Sequence, residues 1–301
     1  MAKLSSENIQ TPAADAGRRR DRPQHVFEVT AVERLTPHLV RVHLGGPAFA
    51  SFIAAADPDR LGMTDKYVKL LFARPELGLI PPYDFDELRS RLALEDLPVR
   101  RTYTVRSIDA DNETIAIDFV VHGDEGIAGP WADSARPGDV LALSGPGGGY
   151  APAQDGGFEY LLIGDESAVP AIAAALEAMP QTAQGRALIE VESPADELPL
   201  SSPPGIEVEW VHRDSALPDG RRAEPGTALS DAVRALTPPG GPVSVFAHGE
   251  RSAMKNIREV LQGRWGLERR ALSLSAYWAL GRAEDRFQAE KREPVGAIFL
   301  D

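Results

Sequence analysis

The sequence predicts two unlike domains in tandem: an all-β unit, an antiparallel barrel or sandwich, followed by an α/β unit built on a parallel sheet. Three observations predict it. Short alternating apolar stretches occupy the chain from Val26 to about Pro146, and after Tyr150 buried strands alternate with helical segments. The Pro/Gly-rich stretch from Gly145 to Gly157 separates the two patterns. At 301 residues the chain has room for both units, and 43% hydrophobic with 26% charged residues is a globular composition.

Residues 1–24 are polar, carry Arg18-Arg19-Arg20, and read as a flexible tail. The first domain is expected over residues 25–152. Its strands are HVFEVTAVERL, HLVRVHLGG, YVKLLFA, VRRTYTVRSI, TIAIDFVVHG and DVLALSGP, each bounded by Pro, Gly or Asp turns. Pro81 to Leu97 reads as an inserted loop with a short helix, FDELRSRLALED.

The second domain is expected over residues 158–301. YLLIGD is a buried strand, and a helix runs from Pro170 through Ala178, proline suiting a first turn whose N–H groups lack partners. The strands ALIEVES and EVEWVHR, a helix around Leu229–Leu236 and the strand VSVFAHGE follow. SAMKNIREVLQGRWG is an amphipathic helix with Met254, Ile257, Val260, Leu261 and Trp265 on one stripe, and ALSLSAYWALG is the last strand. Strands alternating with helices require a parallel sheet covered on both faces.

Several function classes are excluded by composition. No apolar run approaches the roughly 18–20 residues of a membrane span, and MAKLSSENIQTPAADAG has no apolar signal core, so a cytoplasmic protein is expected. The absence of cysteine excludes disulfides, thiolate-held iron–sulfur clusters and a cysteine nucleophile. The six histidines show no pair at metal-ligand spacing, so no metal site is expected. A net charge of −13 argues against nucleic acid as a partner.

Arg101-Thr102-Tyr103-Thr104-Val105-Arg106 is the most informative segment. On a strand it offers cations and hydroxyls on both faces. FAD asks for such a mixture: guanidinium for its diphosphate, an aromatic ring beside the isoalloxazine, and polar groups at the flavin edge. An exposed edge strand decorated with arginine and threonine is the alternative. The segment Asp118 to Ala132, DFVVHGDEGIAGPWA, weighs towards the cofactor. Backbone groups at Val120 and His122 could pair with the flavin edge, and Gly126, Ala128 and Gly129 let main-chain N–H groups approach phosphate, especially if Trp131 opens a helix.

The series RTYTVR, DFVVHGDEGIAGPWA, GPGGGY, LLIGDESAVPAI, FAHGERSAMKNIREVL and LSAYWALGRAED, in that order over about residues 25 to 290, resembles the siderophore-interacting protein family. These are flavin-dependent ferric-siderophore reductases related to ferredoxin–NADP reductase. The resemblance implies a Greek-key antiparallel barrel that binds FAD, followed by an NAD(P)-binding α/β domain with a C-terminal helical extension. It assigns Arg101, Tyr103, Thr104, Arg106, Asp118, Val120, His122, Ala128 and Trp131 to FAD.

The same resemblance places the dinucleotide at the turn Gly164-Asp165-Glu166-Ser167-Ala168, which is not a GxGxxG fingerprint. The acidic pair beside a diphosphate suggests that Asp165 and Glu166 do something other than hold it. Arg213 and Ser193 could hold a 2′-phosphate, so NADPH is expected over NADH, although Glu190 and Glu192 pull weakly the other way. Gly249, Glu250, Met254 and Trp278 complete the implied nicotinamide side, with core packing the alternative for Trp278. For the ferric siderophore, Lys66 and Lys69 lie where a family lysine falls. Gly147 and Ser273 stand where some members carry arginine, so Arg282 and Arg286 are the candidates to rebuild the positive pocket. The expected reaction passes electrons from NADPH or NADH through FAD to Fe(III), with a ferredoxin as a candidate partner. The rivals are an oxidoreductase with a non-siderophore acceptor and a non-catalytic carrier of siderophore or flavin.

Overall fold

Period-two alternation closes the first domain. The computed structural model describes residues 23–123, 126–154, 157–214 and 221–299, so the Arg18-Arg19-Arg20 run lies outside the described residues. Strands β1 (His25–Thr36), β2 (Leu39–Gly45), β3 (Tyr67–Phe72), β4 (Val99–Asp109), β5 (Thr114–Val120) and β6 (Val140–Gly147) form a closed antiparallel barrel in the order β1-β2-β5-β4-β3-β6. The antiparallel neighbours β3, β4 and β5, with β6 returning beside β3, make the Greek key. Alternate residues fill the interior: Phe27 and Val29, Val40, Val42 and Leu44, Val68 and Leu70, Ile115, Ile117 and Phe119, Leu141 and Leu143. Each contributes on the order of 1.5–3 kcal/mol by leaving water.

Helices α1 (Ala48–Ala55) and α2 (Pro58–Gly62) join β2 to β3, a region without strand alternation. α1 packs Phe49 and Phe52 onto the barrel core, Phe52 standing edge-on to Phe27 at 5.7 Å. In the Pro81–Leu97 insertion, α3 (Phe85–Arg91) is capped by Asp84, which accepts from the Asp86 and Glu87 amides at 3.0 Å. α4 (Ala128–Ser134) follows β5 and begins three residues before Trp131. Trp131 therefore sits mid-helix, its ring 5.5 Å from Phe72 and 5.7 Å from Phe119.

The second domain is a five-stranded parallel sheet in the order β11-β10-β7-β8-β9. Its elements are β7 (Glu159–Asp165), α5 (Val169–Ala178), β8 (Gln184–Val191), β9 (Gly205–His212), α6 (Thr227–Ala235), β10 (Val243–Glu250), α7 (Arg251–Arg258), β11 (Leu272–Trp278) and α8 (Glu284–Glu290). Leu162 and Ile189 pack under Ile172 and Leu176 of α5 on one face. Leu161, Ile163 and Leu188 meet Leu229, Val233, Met254 and Ile257 of α6 and α7 on the other. α7 widens into a π-helical turn, Glu259–Arg264, in which the Trp265 amide reaches back to the Val260 carbonyl at 2.9 Å.

β7 lies in the middle of this sheet, with later strands added on either side. Strand order reverses between β7 and β10, and ligands of open parallel sheets bind at the carboxyl ends of strands at such a reversal. No helix among the described residues is long and apolar enough to cross a membrane.

Candidate functional site

A cavity of about 560 Å³ lies between barrel strands β3, β4 and β5 and the carboxyl edge of the parallel sheet. Alternation on β3 turns Tyr67 and Lys69 to it together. From β4 it receives Arg101, Thr102, Tyr103 and Thr104, and from the end of β5 Asp118, Val120 and His122. The α/β domain contributes Glu166, Ser167 and Pro170 after β7, His248 from β10, and Ser275, Tyr277 and Trp278 from β11. Glu284 and Gln288 of α8, with Lys291 just beyond it, complete the wall.

The barrel side is held by pairs built into the sheet. Arg41 and Asp118 are register partners on β2 and β5, and the guanidinium meets the carboxylate in two bonds of 2.6 and 2.9 Å. Tyr103 stacks 4.5 Å from Phe119, and burial raises its hydroxyl's pKa well above the usual phenol range. Tyr277 reaches across the cleft to the Thr104 side chain. Arg106 does not line the cavity; it ties the barrel to α5 through Glu177, with Nη1 3.0 Å from Oε2. Ala128 and Trp131 pack into the barrel core rather than line the cavity.

On the α/β side Asp165 is a junction between three strand ends. It is 1% exposed and accepts from the Ser167 amide at 3.0 Å, the Glu250 amide at 2.8 Å and the Trp278 indole at 2.8 Å. Burial pushes its carboxyl up to about 6, opposed by the bond from Ser167 and reinforced by Glu166. Gly249 has φ +155°, and a Cβ there would stand 2.6 Å from Asp165 Oδ2. Its lack of a side chain thus admits a carboxylate of this chain. Gly164 is similar: a Cβ there would lie 2.5 Å from Ala168 Cβ, so this pair brings α5 onto the sheet.

Other expectations for the nicotinamide side are also corrected. Met254 is fully buried among Leu229, Val233 and Ile257. Glu250 caps α7 through the Ser252 and Ala253 amides and accepts from the Leu280 amide at 3.1 Å. Ser193 donates to Asp196 at 3.0 Å. Arg213 is 2% exposed and does not present its guanidinium to a phosphate. It meets Glu166 in two bonds of 2.8 and 2.6 Å, Glu192 at 3.0 Å and Glu190 at 3.4 Å. Glu166 thus anchors this cation.

The cationic side of the cavity also differs from expectation. Arg282 and Arg286 do not line it; each donates through Nε to Glu290, at 3.0 and 2.8 Å, beside Arg251 at 2.6 Å. Arg286, Arg251 and Arg282 hold the Glu290 carboxyl down to about 2. Lys66 precedes β3 and does not line the cavity either. The lining cations are Lys69, Arg101 and Lys291. Lys69 donates to Thr102 and lies 5.5 Å from the Tyr67 ring centre, and Lys291 lies over Phe287 at 4.5 Å. Tyr67 was legible from its period-two partnership with Lys69, but nothing local marks Lys291.

His248, also missed from sequence, stacks on Phe246 at 4.1 Å and stands edge-on to Tyr277 at 4.8 Å. Burial pushes its ring down to about 3, so it is neutral near pH 7. The unfolded chain takes up this proton first, near its ordinary value of 6.5. The stability His248 contributes is therefore complete above that pH and lost as pH falls towards about 3. Thermal unfolding measured from pH 7 to 4 should show a shallower acid decline for His248→Gln than for the parent. Equal slopes would contradict this burial.

The cavity suits a dinucleotide with a flat aromatic ring system. Its volume is within the usual range for cofactor sites, about 300–1,000 Å³. Tyrosine rings, threonine hydroxyls and a guanidinium converge on it, and Arg101 meets an exposed Asp285 at 3.4 Å and the Arg100 carbonyl there. A Greek-key barrel facing the switch point of a parallel sheet across such a cleft defines a two-domain flavin- and nucleotide-binding protein. Residues 28–150 match the siderophore-interacting FAD-binding domain and residues 158–281 the siderophore-interacting protein domain, and the chain belongs to the siderophore-interacting protein family. FAD is the cofactor of its barrel domain.

The chain is 44% identical over 280 residues to an uncharacterized protein of Mycobacterium tuberculosis, covering 90% of this chain and 96% of the relative. It is 32% identical over 269 residues to the ferric vibriobactin reductase ViuB of Vibrio cholerae, covering 88% and 93%. A crystal structure of a siderophore utilization protein from T. fusca superposes with a TM-score of 0.72 at 37% identity, over 87% of this chain and 94% of that one.

Proposed function

We propose that this chain is an oxidoreductase that passes electrons from NAD(P)H through FAD to a ferric siderophore, releasing ferrous iron in the cytoplasm. The observation that carries this reading is the cleft itself: flavin-suited side chains of β4 and β5 face the carboxyl ends of β7, β10 and β11, with Lys69 and Lys291 on its wall. We take residues 25–152 as the flavin domain and 158–301 as the nicotinamide domain. Bound FAD supplies the redox chemistry, coupling a two-electron hydride donor to one-electron reduction of iron.

The protein's own part is positioning and electrostatics. Arg101 offers its guanidinium to the diphosphate, Tyr103 a ring face, and Thr104 and the backbone at Val120 and His122 polar contacts at the flavin edge. Ser167 and Pro170 open α5 where a dinucleotide would cross the sheet edge. Tyr277 and Trp278 shield the inner wall from water. Lys69 and Lys291 attract an anionic chelate, and hard-oxygen chelators release Fe(II) readily, so no protein ligand to iron is required.

The test is spectroscopic. The purified protein should absorb as a flavoprotein, bleach anaerobically with NADH or NADPH, and recolour with a ferric hydroxamate or catecholate faster than with ferredoxin, quinone or oxygen. If no ferric chelate outpaced oxygen, the siderophore reading would fail; a flavin that stayed yellow with both nucleotides would leave a carrier. Lys69→Glu and Lys291→Glu should each raise KM for an anionic ferric chelate about three- to tenfold at low salt with kcat little changed, and less so at high salt. An unchanged KM in both variants would remove these lysines from the substrate site.

A further inference from the structure

We propose that the nicotinamide donor of this chain is NADH rather than NADPH, selected by the carboxylate cluster around Arg213. The inference rests on the reading of the α/β domain as a nicotinamide site. In open parallel sheets the diphosphate lies at the turn after the first strand, and the adenosine ribose lies near the end of the next. An acidic residue there accepts from the free 2′-hydroxyl, whereas a 2′-phosphate calls for an available arginine.

In this domain the first strand is β7 and the next is β8, after whose last residue, Val191, comes Glu192. Glu192 retains 17% of its side-chain exposure, so a ribose hydroxyl can reach it. The guanidinium that would receive a 2′-phosphate is already committed. Arg213 is buried, both of its terminal nitrogens are spent on Glu166, Glu190 and Glu192, and its Nε is sealed in the interior. Arg222, more than half exposed, pairs with Glu192 at 2.8 Å.

Among the described residues Glu166, Glu190 and Glu192 surround the buried Arg213, and Glu190 is further fastened by the Gly226 and Leu229 amides at 2.7 and 2.9 Å. To reach Arg213, a dianionic phosphate would have to displace its bidentate pair with Glu166 and approach the carboxylates of Glu190 and Glu192. A hydroxyl need displace no pair; it donates one hydrogen bond to Glu192. The discrimination comes from repulsion of the wrong ligand as much as from attraction of the right one.

Two measurements on the FAD-loaded protein test this. By calorimetry, ADP-ribose should bind on the order of tenfold or more tightly than its 2′-phosphorylated form, and kcat/KM should favour NADH over NADPH by a similar factor. Glu192→Gln should narrow both ratios by tightening the phosphorylated ligand, a change that a purely structural role, weakening both ligands alike, would not produce. Equal or tighter binding of the phosphorylated ligand by the parent protein would overturn the inference while leaving the nicotinamide site intact. If neither ligand bound and neither nucleotide bleached the flavin, the inference and the underlying site assignment would both fall.

Discussion

Arg213→Met is expected to destabilise the α/β domain by about 3–5 kcal/mol, because it leaves buried carboxylates without their counter-ion. Glu166 is 7% exposed and Glu190 fully buried, so water cannot replace the guanidinium they share. The loss should appear as a fall of about 10 °C or more in the unfolding midpoint of this domain. It should be partly recovered by adding Glu166→Gln, which removes one of the stranded charges. Denaturant unfolding of the single and double variants measures both, and a cost under about 1 kcal/mol for the single change would mean that the cluster is solvated. The flavin-binding barrel, which does not contribute to these bonds, should retain its fold in either variant.

Arg101→Ala should weaken FAD binding about 10- to 100-fold, the equivalent of one charge-assisted contact to a diphosphate. The Arg101 side chain is 15% exposed and meets an exposed Asp285 at 3.4 Å and the adjacent Arg100 carbonyl. Fluorescence titration of flavin-free protein, with the unfolding midpoint measured alongside, separates the binding effect from the loss of the buried arginine stem. Undiminished affinity would take Arg101 out of the diphosphate site. The contrast with Arg106 is informative: its partner Glu177 lies on α5, so Arg106→Ala should loosen the contact between domains as well.

Much of the fold was legible because burial repeats at short range. The six barrel strands announce themselves through alternation, as in Val40, Val42 and Leu44 or Ile115, Ile117 and Phe119. The parallel sheet is announced by continuous apolar runs such as Leu161-Leu162-Ile163, whose neighbours face opposite covered sides. α1 was illegible, since Phe49 and Phe52 make a stripe too short to separate from a loop and acquire meaning only against the barrel interior. The widened turn after Arg258 is likewise a packing outcome and not a local preference.

The candidate site divides in the same way. The RTYTVR strand and the turn after β7 could be picked out from residue type and position, because a cofactor-binding segment must carry its polar groups on a predictable strand or turn. The fates of particular charges could not. Arg213 has the residue type for a phosphate and Arg282 and Arg286 for an anionic chelate, yet carboxylates from elsewhere in the chain claim all three. Lys291 reaches the cavity because α8 folds back against β4, through Thr102–Glu284 at 3.2 Å and Arg101–Asp285. By itself, then, the sequence determined two domains, their order, and a strand and a turn that line the cleft between them, since hydrophobic periodicity and turn chemistry are local. Only the tertiary structure decided which cations remain available to a ligand, because electrostatic partnership depends on proximity in space, which residue spacing along the chain does not report.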